Sequence, residues 1–154
     1  MSQSNVVPIE FSEQWFSRSK TRAPRFNITI IDRPRLLVLL DEALNKRMST
    51  IIAPAGFGKS TLLSQWCHLL VERSVPCAWL NLDEGDRDMR LFLAYLIMAL
   101  DDAGLSMPKL RSKAENGFFD TSTKAIITTL FESLGKSEQR LVLILDDYHR
   151  IKNR

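Results

Sequence analysis

Ile51-Ile52-Ala53-Pro54-Ala55-Gly56-Phe57-Gly58-Lys59-Ser60-Thr61-Leu62-Leu63 runs from an apolar segment through a glycine-bearing loop into Lys-Ser-Thr at the head of a helical pattern. This order of residue types suits a loop whose backbone N–H groups wrap phosphate. Glycine lets the backbone approach the anion closely and adopt positive φ. The reading makes Ala53, Pro54, Ala55, Gly56, Phe57, Gly58, Lys59, Ser60 and Thr61 the candidate nucleotide cradle. Lys59 would set its ammonium against the β- and γ-phosphates, and Ser60 would offer its hydroxyl to Mg2+. A helix starting near Lys59 would point its partially positive N-terminus at the same charge. The strict pattern G-x-x-x-x-G-K-[ST] is met except at Ala53, which stands where the first glycine belongs and is the smallest substitute for it.

The flanks fit the loop. Ser49 to Ala53 is short and apolar and predicts a strand, while Leu62, Leu63, Trp66, Leu69 and Leu70 recur at helical spacing. A loop of this kind binds phosphate but needs a carboxylate to hold the metal. Leu141-Val142-Leu143-Ile144-Leu145-Asp146-Asp147 supplies one, as an apolar strand of the sort buried on both faces in parallel sheets. Asp146 at its carboxyl end would hold Mg2+ directly or through water. Asp147 would polarise or orient the attacking water. Lys59, Asp146 and Asp147 are therefore the candidate catalytic set, and Ser60 and Asp146 the metal ligands.

At 154 residues, with a formal charge of +3 and a pI near 9.0, the chain has material for one soluble domain. Arg18, Lys20, Arg22, Arg25, Arg33 and Arg35 form a basic run that reads as a solvated face rather than a nucleic-acid contact. Cys67 and Cys77 lack ligand-like spacing and read as core thiols of a reducing cytoplasm. His68 and His149 form no cluster with them. The N-terminus has no apolar segment typical of a secretory signal, and no apolar run is long enough to span a bilayer.

Along the chain, residues 1–24 read as a loose lead-in with Trp15 and Phe16 as its large anchors, and residues 25–154 as a partial nucleotide-binding domain. Pro34 to Leu44 predicts a helix with an apolar face of Leu36, Leu37, Leu39, Leu40 and Leu44. Pro76 to Leu82 predicts a second strand, ending in the acidic turn Asp83-Glu84-Gly85-Asp86. Asp88 is a plausible N-cap for a helix reaching Leu100. Gly104 to Phe119 reads as a polar connection, and Thr121 to Leu134 as a helix despite its β-branched threonines. Strands alternating with helices imply an α/β fold, a parallel sheet covered on both faces.

Ala53-Pro54-Ala55-Gly56-Phe57-Gly58-Lys59-Ser60-Thr61-Leu62-Leu63-Ser64-Gln65-Trp66 closely resembles the P-loop of the large ATP-binding LuxR-type transcriptional activators, the maltose-regulon activator family. Arg33-Pro34-Arg35-Leu36-Leu37 resembles that family's upstream arginine motif. Ala78-Trp79-Leu80-Asn81-Leu82-Asp83-Glu84-Gly85-Asp86 with Phe92, Tyr95 and Leu96 resembles its second strand and helix, and Leu145-Asp146-Asp147-Tyr148-His149 its Walker-B end. The resemblance covers roughly residues 20 to 151. It implies a signal-transduction ATPase of the STAND class of P-loop NTPases, switched by ATP and an inducer to an oligomer that binds promoter DNA. It also implies that Arg33 or Arg35 touches the nucleotide.

Members of that family continue past Walker B with the rest of the ATPase, a winged-helix segment, a helical-repeat sensor and a C-terminal helix-turn-helix. In this class of fold a strand that follows Walker B lies between the P-loop strand and the Walker-B strand. The expectation is therefore an incomplete P-loop NTPase-like sheet, truncated after Walker B, that binds ATP and Mg2+ in the cytoplasm with weak or no turnover. No DNA-reading element is expected here. A different class of function, a non-catalytic module that self-associates or joins full-length homologues, is motivated by the sheet edges such a chain would leave unpaired.

Overall fold

The computed structural model describes residues 16–26, 31–118, 120–137 and 139–151. Two short apolar runs become strands, β1 (Cys77–Asn81) and β2 (Val142–Asp146), which pair in parallel with Cys77 opposite Val142 and Asn81 opposite Asp146. Because successive side chains on a strand point to opposite faces, each run feeds two layers. Trp79 and Ile144 pack with Leu62, Trp66 and Leu70 of α2 (Lys59–Glu72) and with Leu40 of α1 (Pro34–Ala43). On the other face, Ala78 joins Leu93, Ile97 and Leu100 of α3 (Met89–Asp102), and Leu80 and Leu145 pack around Tyr95. The architecture is α/β, a small parallel sheet with helices on both faces.

Local chemistry explains where the helices begin. Asp88 accepts hydrogen bonds from the amides of Arg90 and Leu91, at 2.8 and 3.0 Å, so it caps α3 as its position suggests. Ser122 does the same for Ala125 at the head of α5 (Thr123–Gly135). Pro34 opens α1, where its missing N–H costs nothing. Leu36, Leu37, Leu40 and Leu44 face the α2 layer, but Leu39 is exposed.

Four expectations need correction. The strand foreseen over Ser49 to Ala53 is not formed: residues 48–54 have no regular secondary structure, and Ile52 is 90% exposed. A strand exists only through a ladder with a neighbour. Among the described residues the sheet contains only β1 and β2, so the segment has no ladder to join.

The connection from Gly104 to Phe119 is not simply a loop. It contains α4 (Pro108–Glu115), and Leu105, Met107, Leu110, Ala114 and Phe118 are core residues. Arg111 ties α4 to the end of α3, bonding Asp101 and Asp102 at 2.8 and 2.7 Å.

Of the supposed lead-in, residues 1–15, Trp15 among them, lie outside the described residues. Residues 16–24 are packed rather than loose. The Phe16 ring meets Tyr95 edge-on at 5.3 Å, and the Pro24 carbonyl accepts a 2.7 Å hydrogen bond from Ser64 on α2.

Lys20 does not belong to the solvated basic face. Its ammonium bonds Asp86 at 2.7 Å and Asp83 at 2.9 Å, and lies 4.4 Å from the centre of the Tyr95 ring. Arg18, Arg22, Arg25, Arg33 and Arg35 are exposed, as expected of such a face.

Candidate phosphate-binding site

The loop from Ala53 to Gly58 ends in Gly58, which caps α2 with φ +77° and ψ 29°, and Gly56 before it has φ +81°. Both angles lie in the left-handed region that side-chain-bearing residues avoid. This is why glycine falls at these two places: they reverse the chain into the helix within one turn. The first backbone hydrogen bond into α2 runs from Leu62 to the Gly58 carbonyl at 2.9 Å. The amides of Lys59, Ser60 and Thr61 precede it and belong to the set a helix start leaves without intrahelical partners.

Two cations lie on the loop. Lys59 donates from Nζ to the carbonyls of Ala53 and Pro54, at 2.8 and 3.0 Å. Arg33, just ahead of α1, donates from Nη1 to the Phe57 carbonyl at 3.0 Å, with its guanidinium against Gly58. Arg35, also read as a nucleotide contact, is exposed on the first turn of α1 and makes no hydrogen bond or ion pair among the described residues. Phe57 is exposed at the loop's tip.

The acids stand at the carboxyl end of β2. Asp146 is buried, and its backbone carbonyl accepts from Leu82 at 3.0 Å. Its carboxylate accepts from the amide of Asp147 at 3.0 Å. Asp147 takes φ +55°, an uncommon angle for a residue with a side chain. Its carboxylate lies 3.5 Å from Arg150 Nε and 3.8 Å from His149 Nδ1. Helix α2 and strand β2 share one apolar cluster through Leu62 and Ile144. No hydrogen bond or ion pair among the described residues joins the loop to Asp146 or Asp147, and no group of three or more potential metal-binding side chains converges there.

The acidic turn after β1 carries polar machinery that its sequence hardly advertises. Asp83 accepts from the Gly85 amide, and Asp86 accepts from the Asp83 amide, both at 2.8 Å. The Asp86 side chain is fully buried, and its Oδ1 has no hydrogen-bond partner among the described residues. The hydrogen bond from Lys20 holds the Asp83 carboxyl below the usual carboxylate range. Burial works against the Lys20 charge, but its bonds to Asp86 and Asp83 outweigh that and hold its ionisation above the usual lysine range. The sequence signal was faint: one lysine in a basic run, and an acidic pair three residues apart.

No family model matches the chain. It is 37% identical over 134 residues to the HTH-type transcriptional regulator MalT of Cronobacter sakazakii, an alignment that covers 86% of this chain. The chain spans 14% of that relative's length. The similarity supports a relation to the family that the motifs resemble.

Proposed function

We propose that this relative of the HTH-type transcriptional regulator MalT is an ATP-binding segment of a LuxR-type, ATP-dependent regulator of the STAND class of P-loop NTPases. The observation that carries the reading is the start of α2. Gly58 turns the chain into the helix at φ +77°, and Lys59 rests on the carbonyls of Ala53 and Pro54. ATP would draw the Lys59 ammonium from those carbonyls to its phosphate oxygens, and the amides of Lys59, Ser60 and Thr61 would donate to the same anion. Arg33, already on the loop at Phe57, is the better placed of the two upstream arginines to reach the nucleotide. Ser60 and Asp146 carry the hard oxygen donors that Mg2+ takes, completed by water and phosphate. The metal, when bound, neutralises charge on the β- and γ-phosphates. Asp147 is the group to orient a water for hydrolysis. The work would take place in the cytoplasm; no helix among the described residues is long and apolar enough to cross a membrane.

The experiment is calorimetric titration of ATP with Mg2+ and with a chelator, on the unaltered chain and on Asp146→Asn. The reading predicts tighter binding with Mg2+ and loss of that difference in the variant. Equal affinity with and without metal in both proteins contradicts it.

A second reading, an interaction module that associates with copies of itself or with longer homologues, is favoured by apolar residues left exposed, one of them on the sheet. Leu143 on β2 is 39% exposed and Ile52 is 90% exposed. Concentration-dependent association in light scattering supports it, and a monodisperse monomer counts against it.

A further inference from the structure

Strand β1 ends in Asn81, which stands opposite Asp146 at the carboxyl end of β2. The ladder is intact there, since the Leu82 amide donates to the Asp146 carbonyl at 3.0 Å. Side chains alternate along a strand, so Asn81 falls on the face of Trp79, and Asp146 on the face of Ile144. These are one face, the one packed against α2. The glycine loop lies at the same end of the sheet. Only residues 73–76 separate α2 from β1, so the helix runs back along the strand. Its 14 residues rise about 21 Å against about 16 Å for the five of β1, which carries Lys59 and Ser60 to the level of Asn81 or past it. Asn81 is exposed, unlike the three residues before it, and its carboxamide makes no hydrogen bond among the described residues.

We propose that Asn81 is a positioning residue of the Mg2+ site, its carboxamide oxygen accepting a hydrogen bond from a metal-bound water beside Asp146. Granted the ATP-binding reading of the loop, on which this rests, Ser60 and Asp146 supply one hydroxyl and one carboxylate. Asp146 spends its Oδ1 on the Asp147 amide at 3.0 Å. No group of three or more acidic, histidine or cysteine side chains converges there among the described residues. Most positions around a six-coordinate Mg2+ therefore fall to water and phosphate, as is usual for this ion. Such waters are hydrogen-bond donors, and protein groups that accept from them fix where they sit. Neighbouring strands lie about 4.8 Å apart, so a carboxamide one strand over from Asp146, on the same face, is within reach of a water bound next to that acid. An amide suits the position. It accepts without placing a second negative charge beside the buried carboxylate, where two like charges would repel in the absence of metal.

The test is calorimetric titration of ATP, with Mg2+ and with a chelator, on the full chain and on Asn81→Ala and Asn81→Asp. Asn81→Ala should lower the affinity about two- to tenfold with Mg2+, the size of one lost hydrogen bond, and leave it unchanged in chelator. Asn81→Asp keeps an acceptor oxygen and should retain the Mg2+ effect. It also sets two carboxylates side by side, so its thermal midpoint should fall in chelator and recover with Mg2+ alone. An Asn81→Ala protein that keeps the whole Mg2+ effect, or that loses affinity equally with and without metal, overturns the proposal and leaves the ATP-binding reading standing. So does an Asn81→Asp midpoint that Mg2+ does not move, which holds even if Asn81→Ala fails to fold. An unaltered folded chain with no Mg2+ effect on ATP affinity overturns the ATP-binding reading and the proposal together.

Discussion

The guanidinium of Arg33 lies 3.4 Å from the point a Cβ on Gly58 would occupy, and Gly58 holds a φ of +77°. Gly58→Ala thus asks a side-chain-bearing residue to take a left-handed angle, at about 1–2 kcal/mol. It also crowds the arginine that bonds the Phe57 carbonyl. Gly56 has a similar angle, but nothing lies within 4 Å of its missing Cβ. Urea unfolding should therefore show similar small losses of stability for Gly58→Ala and Gly56→Ala. Only Gly58→Ala should also disturb Arg33, and its ATP affinity should fall further. Equal losses of affinity would remove Arg33 from the account.

Lys20 and Asp86 form a pair whose acid is wholly buried. Removing one partner of such a pair costs about 3–5 kcal/mol, because the other charge is left without compensation. Lys20→Met should therefore destabilise the chain markedly in denaturant unfolding. Lys20→Met with Asp86→Asn should recover much of the loss, since an asparagine oxygen can still accept from the Asp83 amide. A double variant no more stable than the single one would show that the contact is packing alone.

Acid and alkali should each erode stability, through different groups. Asp41 ionises below the usual range because Arg73 and Trp66 hydrogen-bond to it, and Asp83 does so chiefly because of Lys20. Their stabilisation is present above the unfolded carboxylate pKa of about 3.9 and is lost as pH falls through the lower folded values. Lys20 is raised, so its share is present below the unfolded value of about 10.4 and is lost as pH rises through the folded one. Thermal melts should show a plateau at neutral pH with a fall on either side. Lys20→Met should flatten the alkaline fall, and an unchanged alkaline limb would contradict the assignment.

The buried face of α4 makes a further demand. Leu110 is 5% exposed within the core cluster, so Leu110→Ala should cost about 2–5 kcal/mol. A loss below about 0.5 kcal/mol, typical of surface substitutions, would show that this segment is not core.

Much of the fold was legible because its signals are local. Asp88 stands where capping requires it, and Leu62, Trp66 and Leu70 keep the helical period that carries α2 onto the sheet. The alternation in β1, with Trp79 to one face and Leu80 to the other, follows from strand geometry. The loop was legible for the same reason, since glycine at 56 and 58 matches backbone angles that glycine favours. What escaped depends on distant partners. Ile51 and Ile52 look like a strand, but no ladder reaches them. In α4 only Leu110 and Ala114 mark the helix, and polar residues between them hide it. Lys20 reads as one more solvated charge until the turn at Asp83–Asp86, more than sixty residues later, closes around it. Cys67 and Cys77 enter one apolar cluster only because α2 packs on β1.

The most direct measurement is the equilibrium affinity for ATP in the presence of Mg2+, compared between the unaltered chain and Lys59→Ala. The account predicts saturable binding by the first and a loss of about tenfold or more in the second, as removal of a charge-assisted phosphate contact of about 1.5–3 kcal/mol requires. Binding of ATP that Lys59→Ala leaves unchanged, or no binding by the unaltered folded chain, would contradict it.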